Sequence, residues 1–219
     1  SKKRGFKPGM FSFNSGKGRC QTCNGDGVEK VEMQFLSDVY LPCPDCEGRR
    51  FGSEVLEVTW QGRTISDVLE LTVDTAREVF SDRRDICEPL RALVDVGLGY
   101  LRLGQSLNTL SGGESQRLKL ASHLALARGG KAGQPSLLLL DEPTVGLHTS
   151  DIETLMGALY QLVDHGHTVI SIEHNLQVIA GSDYVVDLGP EGGSGGGSIV
   201  ASGTPREIAG NPASITGRF

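Results

Sequence analysis

Two Cys-x-x-Cys pairs, Cys20 with Cys23 and Cys43 with Cys46, stand nineteen residues apart. No other feature of the chain restricts its fold as strongly. Four thiolates on two tight turns form the tetrahedral sulfur cage that zinc prefers, with Zn–S near ~2.3 Å, provided that the intervening chain doubles back. It has the pattern to do so. "GVEKVEMQFL" alternates in part and "DVYLP" follows, as in a hairpin. Two disulfides suit a cytosolic chain less well than a metal, and an iron–sulfur cluster or free thiols are the other readings. With all four positions filled by protein, no position remains for a catalytic water, so the expected zinc is structural. Cys87 stands alone and reads as a small, partly buried apolar residue.

The segment before the first cysteine carries Lys2, Lys3, Arg4, Lys7, Lys17 and Arg19 with no acid among them, and Phe6, Phe11 and Phe13 lie between. Cations that neutralise phosphates and rings that pack on sugar or base make it a candidate DNA contact. The alternative is that zinc only staples a hairpin too small to fold alone. A formal charge of −6 argues against a uniformly basic coat, and Asp26, Glu29, Glu32 and Asp38 of the hairpin argue against a broadly sticky surface. No apolar run is long enough for a bilayer, and the basic start lacks the apolar core of a signal peptide. The expected location is cytoplasmic.

Beyond the cysteines, "SEVLEVTWQGRTISDVL" reads as a strand, a Gln-Gly turn and a short helix. From Thr72 to about Val96 the spacing predicts helices, with Pro89 as a break or a first turn. Strand and helix then alternate: a helix from Ser111 to about Ala127, "SLLLL", a helix capped by Ser150 and Glu153, "TVISI", "YVVDLG" and "SIVASG". The all-apolar strands predict burial on both faces. "GPEGGSGGG" reads as a turn, Thr204 and Pro205 open a last short helix, and the tail from Asn211 is expected to fray. The expected class is α/β, a parallel or mixed sheet with flanking helices. The expected divisions are 1–60 for the zinc module and hairpins, 61–108 for a small helical region, and 109–219 for the α/β portion.

Ser111, Gly112, Gly113 and Glu114 open a helix with the S-x-x-E capping box. The glycines let backbone approach a ligand where N–H groups and the helix dipole attract anions, and the Ser111 hydroxyl can serve either the cap or a phosphate. Further on, Leu137 to Leu140 run into Asp141 and Glu142. On a strand aimed at a nucleotide, the first acid would hold Mg²⁺ and the second would orient the attacking water. His174, just past "TVISI", completes a linear order of helix tip, metal acid, water-orienting acid and imidazole.

In that order the chain resembles the ABC-type ATPases. "LSGGESQR" is similar to their signature, "LLLLDEPTVGLH" to their Walker B strand and loop, and His174 to their switch histidine. The cysteine region before the signature closely resembles the zinc module in the C-terminal half of the UvrA family, the damage-sensing ATPases of bacterial nucleotide excision repair. "LVDVGLGYLRLGQ" and "DLGPEGGSGGGSIVASGTP" match it too. The resemblance implies an ABC ATPase-like fold, with Ser111, Gly112, Gly113 and Glu114 as signature contacts, Asp141 on magnesium, Glu142 as the catalytic carboxylate and His174 as the switch. It implies zinc on Cys20, Cys23, Cys43 and Cys46, and ATP with Mg²⁺ as the other cofactors. As partners it implies damaged duplex DNA, an opposing ATPase module in a dimer, and excision-repair endonuclease subunits.

One part is missing. The phosphate loop G-x-x-x-x-G-K-[ST] has only Ser15-Gly16-Lys17-Gly18 as a near match, which fails because glycine follows the lysine and no helix is signalled. In the family that loop lies upstream of the zinc module. The expectation is therefore the C-terminal portion of a longer protein, inactive as an ATPase by itself. Two competing readings are a zinc-stapled DNA-binding module with a catalytically silent sheet, and a UvrA-like paralogue serving drug resistance.

Overall fold

The computed structural model describes residues 5–14, 16–33, 38–128, 134–189 and 196–219. It divides into two compact units, Ser1–Ala76 with Arg102–Gln105, and Arg77–Leu101 with Ser106–Phe219.

In the first unit the expected hairpin forms. β1 (Val28–Val31) and β2 (Val39–Pro42) pair antiparallel, Val28 opposite Pro42 and Val31 opposite Val39. Every residue of both strands is exposed, so the hairpin has no core of its own, and a two-stranded hairpin is marginal in water. It is anchored at its base, where the Cys43 N–H donates to the Gly27 carbonyl at 2.9 Å. On the other side of the cysteines, Arg19 bridges Phe51, and the Cys20 N–H donates to the Arg50 carbonyl at 2.8 Å. Phe51, 1% exposed, is the largest apolar plug beneath them.

The stretch expected as a strand after Phe51 is instead one helical turn, α1 (Ser53–Leu56). Val55 and Val58 are three apart, a spacing that serves a helical turn as well as a strand. Val55 is buried, and the Val58 N–H closes back onto the Val55 carbonyl. The Gln-Gly turn is as expected: Trp60 and Arg63 bridge across Gln61 and Gly62, whose φ values of 49° and 77° suit a tight hairpin turn. Thr64 and Asp67 then form a reciprocal capping box on α2 (Ile65–Glu70). The division between units falls inside α3 (Val73–Val79).

The second unit is organised around three helices, α4 (Arg84–Asp95), α5 (Gly112–Arg128) and α6 (Thr149–Asp164). Ala92, Leu120, Leu124, Leu155 and Leu162 are buried among them. Arg128 at the end of α5 forms an ion pair with Asp95 of α4 at 2.5 Å and donates to the Gln161 side-chain oxygen of α6 at 3.1 Å. Pro89 neither breaks nor opens a helix: it lies within α4, which tolerates one lost i→i−4 bond because Leu90 and Ala92 are held in the core. Cys87 is half-buried and its thiol donates to the Phe80 carbonyl at 3.0 Å.

β3 (Leu137–Asp141) pairs parallel with β4 (Thr168–Ile172), Leu137 beside Thr168 and Asp141 beside Ile172, with α6 as the crossover that parallel pairing demands. The expectation of burial on both faces fails here. Leu137, Leu139, Ile170 and Ile172 are 54% to 68% exposed, because the helices cover only one face of the pair. The last two strands, β5 (Val185–Gly189) and β6 (Ser198–Gly203), pair antiparallel across a bulge at Asp187 and Leu188. Of the glycine-rich turn between them, residues 190–195 lie outside the described residues. α7 (Leu176–Ala180) follows β4 with Asn175 as its cap, and α8 (Pro205–Ala209) opens as expected, with Thr204 and Glu207 in a capping box.

Two further expectations are corrected. α6 is not capped by Ser150 and Glu153: its cap is two residues earlier, at His148, whose ring accepts the Ser150 N–H. An imidazole acceptor does the work of the serine hydroxyl, and Ser150 becomes part of the first turn. The tail does not fray. Ser214 is fully buried, its hydroxyl donates to Asp187 at 2.5 Å, and Thr216 donates to the other Asp187 oxygen at 2.9 Å. A carboxylate on β5 thus fastens the chain end through two charge-assisted bonds.

Candidate zinc and nucleotide sites

The four cysteine Sγ atoms lie within 4.8 Å of one another, and all four residues are buried. Cys20 and Cys43 approach to 3.9 Å, and Cys23 and Cys46 to 3.7 Å. A tetrahedron with ~2.3 Å arms has edges of about 3.8 Å, so the donor set fits structural zinc. Local backbone explains why the sulfurs converge. After each Cys-x-x-Cys the chain turns left-handed, at Asn24 and Gly25 with φ of 53° and 92°, and at Glu47 and Gly48 with φ of 50° and 84°. A side chain at Gly25 would meet the Phe13 carbonyl oxygen at 2.2 Å. The Gly27 N–H donates to the Cys23 sulfur at 3.2 Å, as expected around thiolate ligands.

The thiols differ in their surroundings. Burial pushes Cys46 up to about 12. Burial also opposes ionisation of Cys20, but backbone N–H groups of Cys23 and Thr22, with the Cys23 and Cys43 thiols, together outweigh it and bring that thiol to about 7. Metal binding must therefore displace protons.

Of the candidate DNA-contacting cations, Lys2, Lys3 and Arg4 lie outside the described residues. Lys7 and Lys17 are exposed, while Arg19 is engaged with the Asn14 carbonyl at 3.0 Å. Lys17, Arg19 and Arg49 share a concavity with Asp45, Glu54 and Glu57, so its charge is mixed. Arg50 stacks over Phe13 at 4.9 Å from the ring centre, which gives that aromatic a packing role inside the module.

In the second unit, the Ser111 hydroxyl accepts the Glu114 N–H at 3.2 Å and the Glu114 carboxylate accepts the Ser111 N–H at 2.7 Å. The capping box is real, and its hydroxyl proton can still donate elsewhere. Tyr100 donates to Glu114 as well. That bond, with the Ser111 N–H, holds the Glu114 carboxyl below the usual range. Gly112 faces open space, whereas a side chain on Gly113 would meet Arg117 and the Val145 carbonyl at 3.4 and 3.7 Å. Arg117 is 3% exposed and donates to the Pro143 carbonyl at 3.4 Å. The helix tip and the loop after β3 are therefore packed together.

Asp141 ends β3 and Glu142 follows in a left-handed conformation, φ 45°, which is strained for a side chain of this type. The Glu142 N–H still donates to the Ile172 carbonyl at 2.9 Å. This places the Glu142 carboxylate 3.4 Å from His174 Nε2, with both side chains open to solvent. Gln116 of α5, with its amide turned to suit its neighbours, spans the Asp141 backbone, donating to its carbonyl at 3.1 Å and accepting its N–H at 2.8 Å.

Sequence reasoning missed Gln116, Tyr100 and, above all, Glu173. One Glu173 oxygen accepts the Thr144 N–H at 3.0 Å. The other accepts the Thr144 hydroxyl at 2.8 Å and the N–H groups of His174 and Asn175 at 3.2 and 3.4 Å. A signal was present: Val169, Ser171 and Glu173 continue the half-buried side of β4, and an acid on that side must find donors.

A parallel strand pair with adjacent acids at its end, a glycine-initiated helix against the following loop, and a histidine beyond the second strand make up a segment of the ABC-type ATPase fold, here joined to a four-cysteine module. No family model matches the chain. It is 55% identical over all 219 residues to the UvrABC system protein A of Vibrio cholerae, spanning 23% of that protein. To the same protein of Staphylococcus aureus it is 54% identical, again over all its residues and 23% of the relative. Among solved structures, UvrA2 from Deinococcus radiodurans matches 99% of the chain at 50% identity with a TM-score of 0.88, the match covering 26% of that chain. By sequence and by fold the chain is similar to one segment, about a quarter of the length, of the UvrABC system protein A.

Proposed function

We propose that this chain supplies the signature helix, the Walker B acids and the switch histidine of a DNA-damage-recognition ABC ATPase of nucleotide excision repair, together with a zinc-stabilised module that lies near DNA. Asp141 holds Mg²⁺, Glu142 orients the attacking water, and His174 reads the γ-phosphate. Ser111, Gly112, Gly113 and Glu114 face a nucleotide bound by an opposing module, whose helix-tip contact is the anion site expected of such N–H groups. The observation that carries this reading is the approach of Glu142 to His174 across the ends of β3 and β4. Such open, adjacent groups can converge on one phosphate. The apolar face at Leu137, Leu139, Ile170 and Ile172 supports the same reading, since it offers a dry surface for the portion of the module that carries the triphosphate cradle.

The test is ATP hydrolysis in two settings. The chain by itself is expected to turn over ATP negligibly. In the full-length protein, Glu142→Gln is expected to lower kcat by about 10²–10³-fold, the range seen when a group acting on the transition state is lost, with nucleotide binding retained. Steady turnover by the isolated chain that Glu142→Gln abolishes would sink the division of labour. For the DNA reading, binding of damaged over intact duplex that responds to nucleotide in the full-length protein is expected, and nucleotide-indifferent binding would favour a catalytically silent module.

A further inference from the structure

The Glu142–His174 pair is made by two separate loops, tied at their base where the Glu142 N–H donates to the Ile172 carbonyl at 2.9 Å, with both residues carried beyond that tie. The loop after β3 carries Glu142, Pro143 and Thr144, and the loop after β4 carries Glu173, His174 and Asn175. Their meeting point is the Glu173 carboxylate, which accepts two bonds from Thr144 and one each from the His174 and Asn175 N–H groups. From these contacts we infer that Glu173 is the positioning residue that sets the reach between the water-orienting carboxylate and the imidazole.

The chemistry favours a carboxylate there over any neutral group. All four partners are donors, and an ionised carboxylate is acceptor-only, with lone pairs for all of them. An amide of the same shape would turn its NH₂ toward one set of donors and leave that set without an acceptor. The strain at Glu142, φ 45°, needs restraint from outside its own residue. Thr144, two residues on, is held at both its N–H and its hydroxyl, and the Val145 N–H closes the same turn onto the Glu142 carbonyl at 3.1 Å. On the other loop, the bond to the His174 N–H fixes the backbone from which the imidazole projects. Glu173 itself is held on the half-buried side of β4. It therefore acts through its neighbours and not on the nucleotide.

The inference rests on the proposed roles of Glu142 and His174, and the experiment separates the two. In the full-length protein, kcat and KM for ATP hydrolysis are measured for Glu173→Gln, Thr144→Val, the double variant and Glu142→Gln, with binding of a fluorescent ATP analogue and zinc content measured alongside. Misplacing reacting groups by about 1 Å costs about 10²-fold. Glu173→Gln is accordingly expected to lower kcat by about 10–100-fold, with KM, analogue affinity and zinc content within about twofold of the parent. Thr144→Val is expected to give a smaller loss of kcat that is not additive with Glu173→Gln, since both remove the same link. An unchanged kcat in Glu173→Gln overturns the inference while leaving the Glu142 role intact. A fall in analogue affinity that matches the fall in kcat also overturns it, because Glu173 would then only maintain the fold of the pocket. If Glu142→Gln retains full turnover, both the inference and the reading beneath it fall.

Discussion

The cysteine knuckle and the Glu142–His174 pair show two opposite ways of assembling a site. The knuckle is made by neighbours in sequence, is buried, and contains every ligand its metal needs. The acid–imidazole pair is made by loops from separate strands, is open to solvent, and borders a sheet face that is bare. A structural metal requires a closed shell, whereas a site that must admit and release a nucleotide requires an open one. The knuckle brings its four sulfurs together within the chain, whereas the second site, in the function proposed, works with further surfaces.

The largest effect that would break this contrast concerns the metal. Cys43→Ser is expected to abolish stoichiometric zinc, read by metal analysis. Structural zinc sites contribute about 10–16 kcal/mol in small metal-dependent folds, so the β1–β2 hairpin should lose hydrogen-exchange protection while α5 and α6 keep theirs. Unchanged metal content would defeat the four-sulfur assignment.

The contrast between covered and bare faces can be sharpened by two leucines. Leu155→Ala, at a fully buried position on α6, is expected to cost about 2–5 kcal/mol in denaturant titration. Leu139→Ala, at a position 68% exposed, should stay within about 0.5 kcal/mol in the isolated chain. In the full-length protein the second substitution should become costly if that face is covered there. An equal cost in both settings would show that the face is not a docking surface.

A smaller effect distinguishes the fastened tail from a frayed one. Ser214→Ala removes a buried hydroxyl and leaves one Asp187 oxygen without its donor, so about 1–3 kcal/mol is expected. The smallest prediction concerns pH. The folded Glu114 carboxyl sits below its ordinary value, so its contribution is present above the unfolded glutamate pKa of about 4.3. It is lost as pH falls through the lower folded value. Glu114→Gln should flatten the stability profile slightly in that acidic window and nowhere else. The side chain is only half-buried, and the change should be just large enough to resolve by thermal melts.

Much of the fold was legible because it depends on local rules. The cysteine spacing demanded a doubling-back, and β1 and β2 provide it. The S-x-x-E pattern at Ser111 announced the start of α5, and Thr204-Pro205 the start of α8. Where the rules were degenerate the reading failed. Val55 and Val58 fit a helical turn as well as a strand, Ser150 and Glu153 offered a cap that His148 took, and a polar tail concealed Ser214, which only Asp187 could bury.

The residue order of the chain was sufficient to pick out the four-cysteine cluster, the helix tip and the acids at the end of β3, because each of these needs only a short run of chemistry in a particular backbone state. It could not fix Glu173 as the clamp between two loops, the span of Gln116 across Asp141, or the bareness of the β3–β4 face. Those depend on which groups, distant along the chain, come within a few ångströms of one another. Parallel pairing of β3 with β4, spanned by the intervening α6, is what brings them there, and neither loop on its own contains the information.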